Sequence, residues 1–340
     1  MSAAMSIDGL TPTVRAAGRK TLALLCGLDA AVLALGALSS RAGLVEVAAP
    51  IPLFSWLRAH ESAQLALLLG TLVGLWQFGW RASLLGGAAA AVLDGLLYET
   101  HTAAFGRIEA EFLIPRATLV GWLIGAVLLR AAVSREGSRR PAVADLGGWH
   151  GAVAIFAATY VAAGLSKLLR SGLGWADPRT IDYILLANMP ADTGLRATLD
   201  QALLRQPTLA RGLAGYTLVV ELGALLVLCG PRGRQLACAG IASFHLGLMA
   251  LTGLLAPGSV ILAALFGVPW TTLRPAADGD PEAIPALDRR RSQWAIGAAL
   301  LVALALGALA WYTPLRQHFA LSPEARLRPW QPEVAPRPPP

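Results

Sequence analysis

The sequence predicts an all-α fold, a polytopic transmembrane helical bundle of about nine spans, and three observations carry that prediction. Charge is scarce: of 340 residues, 55% are hydrophobic and only 14% are charged, where soluble globular chains carry about a quarter. The apolar residues gather into runs of roughly 17 to 22, the length a helix needs to cross about 30 Å of hydrocarbon. Basic residues recur in alternate loops, as they do where short cytoplasmic loops hold Lys and Arg. Alternating segments of ~10 residues, the mark of a transmembrane β-barrel, do not occur.

Taken in order, the spans fall near residues 21–39, 64–80, 82–98, 117–133, 151–169, 211–229, 235–255, 259–273 and 292–313. The first follows Arg15, Arg19 and Lys20. It is long for a signal-peptide core and more spans follow, so it reads as an uncleaved helix. Residues 45–60 contain Pro50, Pro52 and Trp56 and read as a segment that lies along the surface or re-enters. The eighth run is short and contains Gly267 and Pro269, which predicts a bent helix. Residues 1–20 form a cytoplasmic N-terminal segment and 21–313 the membrane domain. The Pro-rich stretch 314–340 forms a disordered tail.

Orientation follows from the short loops. With the N-terminus inside, the inner segments hold Arg15, Arg19, Lys20, Arg81, Arg130, Arg135, Arg139, Arg140, Arg232, Arg234, Arg274 and Arg289, Arg290 and Arg291. The short outer loops hold only Arg41, Arg58, Arg107 and Arg116. That asymmetry places the N-terminus in the cytoplasm and, after nine spans, the C-terminus outside. The net charge of +7 therefore reports topology and the lipid bilayer as partner, not nucleic-acid binding. Abundant Arg, Ala, Gly and Leu suggest a GC-rich bacterium and its inner membrane. Cys26, Cys229 and Cys238 all sit in apolar runs. They form no C-x-x-C pair, so they read as buried packing thiols, and no metal is expected.

Ionisable residues inside hydrocarbon are costly, so Asp29, Asp94, Lys167, Glu221 and His245 are functional candidates by default. The plain alternative is that such groups pair across helices and hold the bundle together, which suits Asp29 and Asp94. Lys167 lies near the outer end of its span, where a basic side chain can snorkel to the headgroups. Yet of 28 Lys and Arg residues only Lys20 and Lys167 are lysine. Positive charge alone is supplied elsewhere by Arg, and a desolvated lysine, unlike arginine, is able to act as a base. Tyr160, Gly164 and Lys167 share one helix face at i, i+4 and i+7. His245 shares its face with Cys238 and Ala242, and reads either as a hydrogen-bonding core residue or as a site residue. Glu221 reads as a counter-charge to Lys167 or His245, or as a protonated structural carboxyl.

These residues sit in a recognisable series. The run Tyr160-Val161-Ala162-Ala163-Gly164-Leu165-Ser166-Lys167-Leu168 is followed by Gly174-Trp175-Ala176-Asp177. Val220-Glu221-Leu222-Gly223 and Ser243-Phe244-His245-Leu246 come later. The series resembles the horizontally transferred transmembrane (HTTM) domain, the membrane half of vitamin K-dependent γ-carboxylase. That family has a tyrosine, then Ala-Gly-x-x-Lys-Leu, then a tryptophan, and later a Phe-His pair. The resemblance is best over 149–270 and extends over the first four spans.

The resemblance implies that Lys167 is a base that deprotonates a quinol, with His245 assisting at oxygen or developing negative charge. Tyr160, Gly164, Trp175 and Glu221 would then line the cofactor site. His101, in Glu99-Thr100-His101-Thr102, loosely matches a family Asn-His pair, with the Asn absent. The implied cofactors are a quinol of the vitamin K or menaquinol type, O2 and CO2. In the family, oxidation of the quinol to an epoxide generates a strong base that removes a proton from a glutamate, and CO2 traps the carbanion. Such chemistry requires a dry site, a base and fixed donors for an oxyanion.

The carboxylase carries a large soluble domain after its membrane half, whereas residues 314–340 are mainly Pro, Arg and other polar residues. Peptide carboxylation by this chain alone is therefore not expected. A small secreted peptide or a separate soluble domain is the implied partner. The competing reading is a non-catalytic membrane module that binds lipid or quinone, or supports export or maturation of a partner. A transporter fits less well, because neither an inverted repeat nor paired broken helices occur.

Overall fold

The computed structural model describes residues 10–39, 52–105, 110–132, 140–188, 194–252 and 256–268. Every regular element among them is helical. The first part of the order holds five long helices: α1 (Pro12–Ser39), α3 (Glu61–Arg81), α4 (Leu84–Phe105), α5 (Ala110–Ala132) and α6 (Arg140–Ser171). Between α1 and α3 lies the short α2 (Pro52–Ala59). A 3₁₀ turn (Gly172–Ala176) leads from α6 into α7 (Pro178–Asn188), α8 (Leu195–Leu204) and α9 (Pro207–Gly223). A second 3₁₀ segment (Ala224–Cys229) continues α9, followed by α10 (Pro231–Thr252) and α11 (Pro257–Gly267). Among the described residues, five stretches are long and apolar enough to cross a membrane: Glu61–Arg81, Leu113–Ala131, Val143–Leu169, Pro207–Cys229 and Pro231–Thr252.

The helices meet the expected spans with informative differences. The first expected span lies within α1, which begins at Pro12, so Arg15 and Arg19 are buried helical residues and not a free N-terminal segment. Arg116, expected in an outer loop, is buried inside α5. Pro115 lies inside the same helix. The expected long loop from 170 to 211 contains α7 and α8, which lack a long apolar run and so leave no span signal. The segment expected to lie along the surface or re-enter holds α2, with Phe54 and Leu57 buried and Leu53 and Trp56 exposed. The eighth run is the short α11. The ninth span (292–313), residues 1–9 and the tail 314–340 lie outside the described residues.

Close packing begins where side chains are absent. On α5 and α6, Gly121 faces Gly151 and Gly125 faces Gly147; position rises on one helix as it falls on the other, so the pair is antiparallel. A Cβ on Gly151 would stand 2.1 Å from the Gly121 carbonyl oxygen, and one on Gly125 2.1 Å from that of Gly147. Such small-residue contacts let helix backbones touch without any hydrophobic driving force between them. The tight turn between α3 and α4 places Ala82 at φ 55°, in the left-handed region. Ser83 Oγ then accepts the Gly86 N–H at 3.0 Å and so caps α4.

From this base an aromatic chain runs through the core by edge-to-face contacts. Phe78 meets Trp122 (centroids 6.0 Å apart), Trp122 meets Trp149 (6.4 Å), and Trp149 meets Phe266 (5.3 Å). Phe266 meets Phe156 (5.4 Å), and Phe156 meets Tyr160 (5.3 Å). Three helices, α3, α5 and α11, thus converge on α6.

Buried charge is paired between helices. Asp94 on α4 accepts two bonds from Arg116 on α5, at 2.5 Å from Nε and 3.0 Å from the second guanidinium nitrogen. The guanidinium lies over the Tyr98 ring at 4.7 Å. The cross-helix pairing expected for Asp94 is therefore present. Arg19 on α1 reaches Asp145 on α6 at 2.5 Å and donates to the Gly79 carbonyl at 3.3 Å. Cys26 and Cys238 are buried free thiols as expected, whereas Cys229 is exposed at the end of its 3₁₀ segment.

Gly151→Ala forces a Cβ onto a backbone carbonyl that cannot move independently, and is expected to destabilise the fold by about 1–3 kcal/mol. Gly95→Ala, where nothing lies within 4 Å of the added Cβ, is expected to be neutral or slightly stabilising. Thermal unfolding of the two variants in detergent micelles checks the contrast.

Candidate functional site

Four elements supply the site: the C-terminal half of α6, the 3₁₀ turn that follows it, and the facing parts of α9 and α10. Tyr160, Gly164 and Lys167 project from one face of α6, as their spacing requires. Lys167 lies seven residues beyond Tyr160, about 10 Å along the helix axis.

Gly164 sets how close α9 comes. A Cβ on Gly164 would stand 3.0 Å from Glu221 Cβ and 3.1 Å from Leu222 side-chain carbons. The bare backbone therefore brings Glu221 against α6, where its side chain is only 5% exposed. There Lys167 Nζ donates to Glu221 Oε1 in an ion pair between the two helices. Of the alternatives that the sequence left for Glu221, the structure shows the counter-charge to Lys167.

Gly172, with φ +57°, sits in the left-handed region where α6 ends. The chain turns there into Gly172–Ala176 and brings Trp175 back over the end of α6. Lys167 Nζ lies over the Trp175 ring, 4.9 Å from its centroid. Lys167 therefore does not simply extend towards headgroups: a carboxylate and an aromatic face hold its ammonium, and its side chain is 20% exposed.

Two turns back along α6, the Tyr160 hydroxyl and His245 Nε2 are 2.7 Å apart. The His245 ring also meets Tyr160 edge-on, with centroids 5.7 Å apart. Both residues are buried, and the pair joins α6 to α10 at the end of the aromatic chain. Sequence reasoning missed Phe156, which orients Tyr160 from four residues earlier on the same helix. Its signal was the i, i+4 aromatic spacing.

Six of the seven candidate residues, namely Tyr160, Gly164, Lys167, Trp175, Glu221 and His245, thus gather around the C-terminal half of α6. The seventh, His101, lies in α4, and its side chain falls outside the described residues. No cluster of three or more His, Cys, Asp or Glu suited to a metal occurs among the described residues.

The two buried ion pairs differ in one respect. In Asp94–Arg116 both carboxylate oxygens accept a hydrogen bond. In Lys167–Glu221 only Oε1 does, and Glu221 Oε2 is buried with no hydrogen-bond partner among the described residues. Trp175 Nε1 is likewise a buried donor without a partner among them. The two residues in contact with Lys167 Nζ therefore present one unmet acceptor and one unmet donor. Leaving such a buried group unmet costs about 1–3 kcal/mol.

Compared with known proteins, the chain matches no protein-family model, no curated protein and no solved structure.

Gly164→Leu is expected to push α9 away from α6 and open the Lys167–Glu221 pair. Amine-reactive labelling read by mass spectrometry checks this, with Lys20 as the internal reference. The Lys167 rate relative to Lys20 should rise severalfold in the variant, and remain at the wild-type ratio in Gly95→Ala.

Proposed function

We propose that the chain is an integral membrane protein of the HTTM, γ-carboxylase-like class that carries out quinol-dependent oxidation of the epoxidase or carboxylase type. It crosses the bilayer about nine times, with its N-terminus in the cytoplasm and its C-terminus outside. In this reading the Lys167–Glu221 pair supplies the base and His245, held by Tyr160, assists at oxygen. The observation that carries the reading is the unmet acceptor and donor on the two residues that contact Lys167.

The membrane setting is supported by the five long apolar stretches and by what the helices turn outward. Leu24, Leu69, Val73, Val92, Val219 and Leu236 are all more than half exposed. In water such extended apolar surface marks a binding face; on successive helices it suits contact with lipid.

The residues fit a quinol. A hydroxyl is at once a donor and an acceptor, and Glu221 Oε2 with Trp175 Nε1 offer its complement. A quinol, when bound, supplies the electrons and the hydroxyl protons that reaction with O2 consumes. Glu221 and Trp175 would hold its oxygen, and the Lys167 charge would favour negative charge there. Gly164 closes α9 on α6 and so keeps water from Glu221. Tyr160 and His245 provide a second hydrogen-bonding pair on the same face of α6. A peptide or a separate soluble domain would present the group that receives CO2.

Purified protein in detergent, given menaquinol or vitamin K hydroquinone under air, is expected to form the epoxide. Lys167→Ala should lower the rate about 10²-fold or more, the usual scale for loss of a proton-transfer group. Size-exclusion profiles establish that both proteins are folded. Folded wild-type protein that turns over no quinol would overturn the catalytic reading, leaving a membrane module that binds lipid or quinone, or supports export or maturation of a partner.

A further inference from the structure

We infer that Glu221, and not Lys167, takes the proton from the bound hydroxyl, with Lys167 as the residue that positions Glu221 and balances its charge. The inference rests on the quinol reading above and assigns roles within its base, since the resemblance alone gives that role to the lysine.

The geometry separates the two residues by what each has left to offer. An ammonium has three donors and no acceptor, and only its deprotonated form is able to accept a proton. Both observed contacts of Lys167 Nζ are those of an ammonium: it donates to Glu221 Oε1, and it sits over the face of Trp175. A ring face attracts a cation and has little to offer a neutral amine. Glu221 is placed in the opposite way. Its Oε1 is occupied by Lys167, while its Oε2 is buried and has no hydrogen-bond partner among the described residues. An ionised carboxylate is an acceptor at both oxygens, so Oε2 is the atom in this group able to receive a proton.

The step balances simply. The O–H bond of the bound hydroxyl breaks, its proton passes to Glu221 Oε2, and the bonding electron pair stays on the ligand oxygen. The Lys167 ammonium, relieved of its carboxylate partner's charge, and the Trp175 N–H then face that oxygen. Lys167 keeps its proton throughout. A cation is needed at this position, whereas a titratable amine is not, so arginine is able to serve there. At 221 a carboxylate is required, because the amide of glutamine accepts a hydrogen bond but does not hold a proton.

Two variants and one binding measurement test the assignment. Menadiol and its dimethyl ether, which lacks the hydroxyl protons, serve as probes of wild type and variants in detergent, with thermal stabilisation as the binding readout. The expected result is that menadiol stabilises the wild type and the ether binds about tenfold or more weakly, as loss of the donor to a buried acceptor requires. Turnover of menadiol should persist in Lys167→Arg within about tenfold of wild type and fall about 10²-fold or more in Glu221→Gln, which still binds menadiol. An active Glu221→Gln with an inactive Lys167→Arg would overturn the assignment and return the proton to Lys167, with the quinol reading intact. Inactivity of both variants would remove the purely positioning role given to Lys167. Equal binding of menadiol and its ether would show that Oε2 does not face the hydroxyl, and would overturn the assignment as well. Failure of the wild type to bind either probe would overturn the quinol reading and this inference together.

Discussion

The backbone contact between α5 and α6 fixes the frame in which everything else is placed. Gly121 and Gly125 lie against Gly151 and Gly147 with no room for a Cβ, so the two helices cannot slide or rotate independently. In lipid this matters more than in water, because burying leucine against leucine gains little over burying it against acyl chains. Shape, not hydrophobicity, must then specify the pairing. Once α6 is fixed, Trp149 on one side and Phe156 and Tyr160 further along anchor the aromatic chain that α3, α5 and α11 join. The same helix carries Gly164 and Lys167 towards its C-terminal end, so the site inherits its geometry from glycines about four turns away.

Charge obeys a second constraint, which is that none of it stays alone in a low-dielectric interior. Three ion pairs meet that constraint, each joining different helices: Arg19 with Asp145, Asp94 with Arg116, and Lys167 with Glu221. Asp145 lies near the start of α6 and Lys167 near its end, while Asp94–Arg116 joins the neighbouring α4 and α5. The pairs staple α1 to α6, α4 to α5 and α6 to α9. Paired charges of this kind contribute little net stability, but breaking one partner out leaves a costly orphan. Their weight therefore falls on specificity: a helix placed at the wrong level strands a charge.

How much of this was legible in the sequence follows from range. The apolar runs are local, so α1, α3, α4, α5, α6, α9 and α10 could be read with errors at their ends. The i, i+4, i+7 face of Tyr160, Gly164 and Lys167 is local too, and it held. The rarity of lysine against 28 basic residues singled out Lys167 without any structure. What the sequence could not settle was choice among distant partners. Glu221 is 54 positions from Lys167, and His245 is 85 from Tyr160, and nothing local distinguishes the pairing found from its exchange. Local signals also fell short: short amphipathic α7 and α8 gave no apolar run to detect. The stacking of Trp175 over Lys167 depends on the turn at Gly172, a backbone feature whose consequence appears only in three dimensions.

The contrast between the two deepest ion pairs then separates scaffold from site. Asp94–Arg116 is complete: the forked guanidinium meets both carboxylate oxygens and its face is covered by Tyr98. Arginine suits such a pair because its planar donors match a carboxylate and its charge is permanent. Lys167–Glu221 is incomplete by the same measure, since lysine meets one oxygen and leaves the other buried and unmet. Glu221 Oε2 and the Trp175 N–H, each buried without a partner among the described residues, both carry a local cost. The incompleteness of the pair, more than its burial, is what sets the C-terminal half of α6 apart from the Asp94–Arg116 staple.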